Sequence, residues 1–133
     1  MYKVVVVEDE SMVRKGIILT IDWSALDCVV VGDAANGEEG VELVDRLKPD
    51  IVVSDVKMPR MDGVEMIEQL RKQGCKAKFI ILTAYSDFKY AQSALRLGVS
   101  DYLLKPLKDG ELEGAVRKIL SVVEVGTTQA EEE

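Results

Sequence analysis

The sequence predicts an α/β domain, a doubly wound three-layer sandwich around a five-stranded parallel sheet in the order 2-1-3-4-5. Three observations carry that expectation. Five short apolar runs are continuous rather than alternating, as strands covered on both faces require. Segments with helical spacing stand between and after them, as parallel strands joined by crossovers demand. Polar residues gather where four of the runs end, which is where an open parallel sheet places its reactive groups.

The first run, residues 4–7, ends at Glu8, Asp9 and Glu10, and residues 12–21 follow with helical spacing. The second run, 29–31, leads through Asn36 and Gly37 into a helical segment at 38–47 that Pro49 closes. The third, 51–53, reaches Ser54 and Asp55 and precedes a helical segment at 64–71. In the turn between them Pro59 fixes the backbone and Gly63 permits close approach, so Met58, Pro59 and Gly63 are read as structural. The fourth run, 79–82, ends at Thr83 and precedes a helix expected over 88–97, terminated by Gly98. The fifth, 102–104, ends at Lys105 and Pro106. Leu112, Ala115, Val116 and Ile119 then form the i, i+3, i+4, i+7 stripe of a last helix over 111–120. Short right-handed crossovers make the strand order flavodoxin-like and put the first and third strands side by side.

With 133 residues the chain fits one domain with a real core. Its 24 acidic and 17 basic residues leave a net charge of -7, which disfavours direct nucleic-acid binding by this domain. No apolar stretch approaches the roughly 20 residues of a membrane span, and Glu8–Asp9–Glu10 interrupts the N-terminal valines, so a cytoplasmic protein without membrane contact is expected. Cys28 and Cys75 lack zinc-site spacing and read as reduced thiols. Histidine is absent, which removes serine–histidine triads, histidine-ligated metals and a phosphohistidine role. Chemistry here must run on carboxylates, a hydroxyl and a lysine.

In the predicted strand order Glu8, Asp9 and Asp55 converge at the switch point. As helix caps or solvated acids they would be explained one at a time, but not as a convergence. Three facing carboxylates repel unless compensated. A hard cation with oxygen ligands compensates them, and Mg²⁺ suits such a set because it takes one or two carboxylates and leaves room for a phosphate oxygen. Thr83 could hydrogen-bond a second phosphoryl oxygen, and Lys105 could sit against a third as a point charge. Asp55 would then accept the phosphoryl group as an acyl phosphate.

The motifs Val7-Glu8-Asp9-Glu10, Ser54-Asp55-Val56-Lys57-Met58-Pro59-Arg60-Met61-Asp62-Gly63, Thr83-Ala84-Tyr85 and Asp101-Tyr102-Leu103-Leu104-Lys105-Pro106 resemble the receiver domains of two-component response regulators. The likeness runs from residue 3 to about 122, in order and spacing. It implies Asp55 as phosphoacceptor, Asp9 as a direct Mg²⁺ ligand, and Glu8 as a second acid acting largely through water. It further implies the Lys57 carbonyl as third protein ligand, Thr83 as switch hydroxyl, Lys105 as phosphate partner, and a cis peptide between Lys105 and Pro106. Glu8 stands where many members carry aspartate. Lys57 and Tyr85 occupy positions that in similar domains influence phosphoryl lifetime. An aromatic such as Tyr102 is ordinarily core packing, but the resemblance couples it to Thr83 in a phosphorylation-driven shift of the face formed by the fourth helix, fifth strand and fifth helix.

The expected function is therefore a phosphorylation-dependent switch, fed by a sensor histidine kinase, that assists its own phosphorylation and dephosphorylation without being an enzyme in its own right. The Ile21-Asp22-Trp23 segment, with Trp23 as an aromatic packed under a loop, and Tyr85-Ser86-Asp87-Phe88-Lys89-Tyr90-Ala91 resemble receivers that precede AraC-type helix-turn-helix output domains. This implies a covalently linked DNA-binding output domain absent from this chain, control of transcription, and a homodimer on phosphorylation. The receiver is expected over 1–122, with 123–133 an acidic, disordered tail or the start of a linker. A Mg²⁺-dependent phosphohydrolase with an aspartate nucleophile is weaker, because Lys57 stands where such enzymes commonly carry a second aspartate. A receiver-like module acting by binding alone is a further alternative. A flavin mononucleotide carrier is weaker still, since Glu8, Asp9 and Glu10 would repel its phosphate.

Overall fold

The structure, a computed structural model, describes residues 1–132, with side chains through Val123. Its sheet has five parallel strands in the order β2-β1-β3-β4-β5. They are β1 (Tyr2–Val7), β2 (Cys28–Ala34), β3 (Ile51–Asp55), β4 (Lys78–Thr83) and β5 (Asp101–Leu104). The helices are α1 (Ser11–Thr20), α2 (Gly37–Leu47), α3 (Gly63–Lys72), α4 (Phe88–Gln92) and α5 (Glu111–Glu132). α5 runs on past the helix expected over 111–120, so the segment expected as a disordered tail or linker over 123–133 is helical backbone through Glu132, with side chains described only to Val123.

Continuous apolar runs work here because successive side chains leave the sheet on opposite faces and both faces are covered. Val4, Val6, Ile51, Val53, Ile80, Leu82 and Leu103 pack on one side with Ile17 of α1 and with Leu112, Val116 and Ile119 of α5. Val5, Val7, Val52, Phe79 and Ile81 pack on the other with Val41 and Val44 of α2, Met66, Ile67 and Leu70 of α3, and Ala91. All four valines 4–7 are fully buried, which makes β1 a central beam of the fold.

Local chemistry fixes the helix ends. Asn36 accepts from the Glu39 N–H at 2.9 Å to start α2, and Lys48 in the left-handed region stops it one residue before Pro49. Asp62 opens α3 with a capping box, its carboxylate taking the Glu65 N–H while the Glu65 carboxylate takes the Asp62 N–H. Trp23 is buried in a 3-10 turn (Trp23–Leu26), with its indole N–H donating to the Ile17 carbonyl at 3.3 Å. Both cysteines are free.

Two further elements depart from the periodicity-based expectation. β2 extends through Gly32, Asp33 and Ala34, which are not an apolar run. It is the edge partner of β1, with Val29 exposed, and its register shifts where Val4 pairs with Val30 and Val5 with Gly32. An edge strand needs backbone pairing on one side only, so apolar continuity underestimates its length. The single helix expected over 88–97 is instead a 3-10 turn (Tyr85–Asp87), one and a half turns of α4, and a 3-10 stretch (Ser93–Leu97). The Ser93 hydroxyl donates to the Tyr90 carbonyl at 2.6 Å, competing with the α-helical pattern, while Arg71 captures the carbonyls of Leu97 and Gly98.

Candidate functional site

Four of the strands deliver the site residues at their carboxyl ends, β1 two of them and the others one each. Glu8 continues β1, since its N–H donates to the Ala34 carbonyl at 3.0 Å, and Asp9 follows. Asp55 is the last residue of β3, paired with Leu82; Thr83 ends β4; and Lys105 follows β5, its N–H donating to the Thr83 carbonyl at 2.9 Å. Sequence reasoning anticipated this gathering, and the described geometry brings the residues together. Oxygen atoms of Glu8, Asp9 and Asp55 lie within 4.8 Å of one another.

Glu8 is fully buried and Asp55 nearly so, and their negative charge is met by Lys105. Its ammonium donates to Glu8 Oε1 at 2.7 Å and to Asp55 Oδ2 at 2.9 Å. The other Glu8 oxygen accepts from the Glu10 N–H at 3.2 Å, and the other Asp55 oxygen from the Val56 N–H at 2.8 Å. Both carboxylates are thus held in fixed planes by charge-assisted bonds. Burial pulls the Lys105 pKa down, but the bonds to Glu8 and Asp55 outweigh it and leave it above the ordinary lysine value. Asp9 is exposed at the rim, and its carboxyl is pushed above the usual range by desolvation first and by the Glu8 carboxylate second.

Close backbone packing sets the floor of the site. The Gly63 N–H donates to the Val56 carbonyl at 2.8 Å, and a methyl at Gly63 would sit on the Asp55 carbonyl oxygen. The Gly37 N–H similarly donates to the Met61 carbonyl at 2.9 Å, where a methyl would collide with the Met61 backbone. Between these anchors the loop after Asp55 carries Lys57, side chain exposed, and Arg60 with φ 67°. The Lys105–Pro106 peptide is cis.

Thr83 is buried with its hydroxyl donating to the Ala84 carbonyl at 3.0 Å. Tyr102, paired with Ile81, stands edge-on to Phe88 at 6.4 Å, and its buried hydroxyl is the sole such side-chain atom without a hydrogen-bond partner among the described residues. The two hydroxyls therefore do not bond each other. Burial raises the Tyr102 pKa.

Sequence reasoning missed two contributors. Arg14 donates to the Glu8 carbonyl at 2.6 Å and to Asp33 at 2.7 Å, tying α1 to the site; one arginine on a helix carries no pattern that announces this. Tyr90 donates to Asp62 Oδ2 at 2.6 Å, and only its place within the 85–91 motif marked it beforehand.

An acidic crevice closed by a lysine at the carboxyl edge of a 2-1-3-4-5 sheet defines a small α/β module with an oxygen-only donor set. That set keeps excess negative charge after Lys105 is counted, so it fits a hard divalent cation such as Mg²⁺. The response regulator receiver domain model matches residues 4–117, and the chain belongs to that family. It is 36% identical over 121 residues to the uncharacterized transcriptional regulatory protein YesN of Bacillus subtilis, covering 91% of this chain and 33% of that protein. It is 34% identical over 113 residues to the transcriptional regulatory protein HptR of Staphylococcus aureus, covering 85% of this chain and 44% of that protein. The chain thus spans between a third and a half of the length of these relatives. Among solved structures, the REC domain of the response regulator AraT from Geobacillus stearothermophilus superposes with a TM-score of 0.89 at 38% identity, covering 95% of this chain and 98% of that one. A two-component transcriptional regulator AraC from Clostridium phytofermentans superposes at 0.84 and 28% identity, with 92% and 95% covered. A receiver domain is a signalling switch rather than a dedicated catalyst, and no described helix is long and apolar enough to cross a membrane.

Proposed function

We infer that this receiver accepts a phosphoryl group on Asp55 from a partner histidine kinase, and that the product shifts the α4–β5–α5 face to control transcription through a linked DNA-binding domain. One observation carries the reading: a single ammonium, on Lys105, bridges the buried Glu8 and the acceptor Asp55 at the strand ends. In the transfer an Asp55 oxygen bonds to phosphorus while the phosphorus–nitrogen bond of the donor phosphohistidine breaks, its electron pair leaving on the imidazole, which takes up a proton. Val56 N–H and Lys105 hold the carboxylate in place for in-line attack. Glu8, Asp9, Asp55 and the Lys57 carbonyl would hold Mg²⁺, which supplies charge neutralisation for the phosphoryl oxygens. Lys105 meets one phosphoryl oxygen, and Thr83 exchanges the Ala84 carbonyl for another. The same groups assist hydrolysis of the acyl phosphate.

Two further features support the reading. A groove of about 700 Å³ opens beside Lys105, lined by Val13, Ile17, Ile21, Pro106, Leu107 and Leu112, and offers a docking place next to the acceptor. The unpartnered Tyr102 hydroxyl leaves the present packing short by about 1 kcal/mol. An alternative packing that satisfies it is therefore within reach of the bias a phosphoryl group supplies. On the same face Leu95 and Leu104 are exposed, which fits a homodimer formed on phosphorylation.

Intact mass after incubation with Mg²⁺ and acetyl phosphate tests the acceptor. The expected result is one added phosphoryl group, lost in Asp55→Asn and in a chelator control. No adduct on folded protein would overturn it. Sedimentation with and without the donor tests the dimer, and an unchanged monomer removes it.

A further inference from the structure

The loop that leaves Asp55 ends at Asp62, whose two carboxylate oxygens are both committed. Oδ1 accepts the Glu65 N–H at 2.9 Å and so starts α3, while Oδ2 accepts the Tyr90 hydroxyl at 2.6 Å. Tyr90 belongs to α4. The segment 88–97 is otherwise strapped to α3 only near its other end. There Arg71 donates to the carbonyls of Leu97 at 2.8 Å, Cys75 at 2.8 Å and Gly98 at 3.3 Å, with its guanidinium 4.8 Å above the Phe79 ring, and Arg96 pairs with Glu68 at 3.1 Å. The two ends differ in what they answer to. Arg71, Arg96 and Glu68 reach the body of α3, whereas Tyr90 reaches the loop anchored on the acceptor strand.

We propose that Tyr90 is a positioning residue for the Asp55 site: its hydroxyl on Asp62 joins the phosphoacceptor loop to the start of α4, so that each holds the other, while Arg71 serves as the fixed pivot at Gly98. The inference rests on the phosphoacceptor reading only for its consequence, not for the link itself. The ring of Tyr90 is partly exposed, and burial together with Asp62 raises its pKa, so the phenol stays protonated and available as a donor across ordinary pH. If the present state keeps the bond and the phosphorylated state opens it, linkage requires that cutting the bond favours phosphorylation.

Hydrogen exchange on the whole chain, without metal or phosphoryl donor, tests the link. Tyr90→Phe keeps the ring and removes the bond. It is expected to speed exchange severalfold in both 56–62 and 88–92 and to leave the amides of 95–99 unchanged. Asp62→Ser keeps a side-chain cap for α3 and removes the acceptor, so it should reproduce the effect on 88–92, and the double variant should add nothing further. Arg96→Gln is the counterpart, loosening 93–97 while leaving 56–62 untouched. Unchanged exchange in Tyr90→Phe, or loosening of 88–92 alone, overturns the link. With acetyl phosphate and Mg²⁺ added, the plateau ratio of phosphorylated to free protein should be severalfold higher in Tyr90→Phe than in wild type; an equal or lower ratio overturns the positioning role. Absence of an adduct in both proteins would instead remove the phosphoacceptor reading, and the exchange data would still decide the link.

Discussion

The acidic crevice and the flank that carries α4 are built in opposite ways. Around the crevice, Val4–Val7 of β1 and all of β3 are buried, the carboxylates sit in fixed planes and glycine backbones touch the acceptor strand. Along the flank, α4 is a short helix between two 3-10 stretches, Tyr85 and Leu95 lie 84% and 61% exposed, and the Tyr102 hydroxyl is buried without a partner. The crevice resembles a site prepared for chemistry, where a misplaced group costs rate. The flank resembles an element with more than one packing close in energy. Substitutions should therefore cost stability in the first region and little in the second.

The largest effect is expected at Gly63. A methyl there meets the Asp55 carbonyl, which is backbone and cannot turn aside, so Gly63→Ala should lose about 3 kcal/mol, at the upper end for overpacking. Denaturant unfolding checks this, and a loss below about 1 kcal/mol would mean the floor of the crevice is not rigid. Next comes Lys105→Met, which strands Glu8 without its cation. Complete loss of a buried partner costs about 3–5 kcal/mol, and the part-exposed Lys105 side chain lowers that to about 2. The same unfolding measurement applies.

How far the sequence reveals each region follows the same division. Val4–Val7 and the residues at the strand ends are legible because the middle of a strand buried on both faces is apolar, so polar residues such as Glu8, Asp55 and Thr83 stand out where the apolar runs stop. The strand order is the flavodoxin-like choice among those that right-handed crossovers permit. Resemblance added the assignment of roles and the cis peptide. The breaks in the α4 segment were not legible, because Phe88, Ala91, Ala94 and Leu97 keep helical spacing through both α and 3-10 geometry, and the deciding contacts come from Ser93 and from Arg71 on another helix. The end of β2 was hidden for the reason that it is an edge. Tyr90–Asp62 links residues 28 apart in sequence, and no local pattern encodes it.

On the flank, Tyr102→Phe should sharpen the contrast by its sign. The hydroxyl that is removed has no partner to lose, while the ring keeps its edge-on contact with Phe88. The variant should unfold at equal or higher denaturant, with a gain of up to about 1 kcal/mol. A loss of that size would mean the hydroxyl is satisfied in solution, and the flank would then be as well fixed as the crevice.

In metal-free buffer the smallest effect is expected at the crevice rim, where Asp9 tests whether the site is incomplete without a cation. Its carboxyl holds a proton more tightly folded than unfolded, because desolvation and then Glu8 disfavour its charge. Its contribution to stability is thus fully present below the unfolded pKa and is lost as pH rises through the raised folded value, leaving a penalty at neutral pH. Asp9→Asn removes that penalty, and in metal-free buffer it should stabilise the fold by less than about 1 kcal/mol, since the group is exposed and screened. Added Mg²⁺ should reverse the order. A cation bound only by the folded wild type at 100 times its Kd adds about 2.7 kcal/mol, and the variant forfeits most of it. Thermal unfolding of both proteins with and without Mg²⁺ reads the crossing directly. Parallel shifts in the two proteins on adding Mg²⁺ would show that Asp9 does not hold the metal, and equal stability in metal-free buffer would show that it does not repel Glu8.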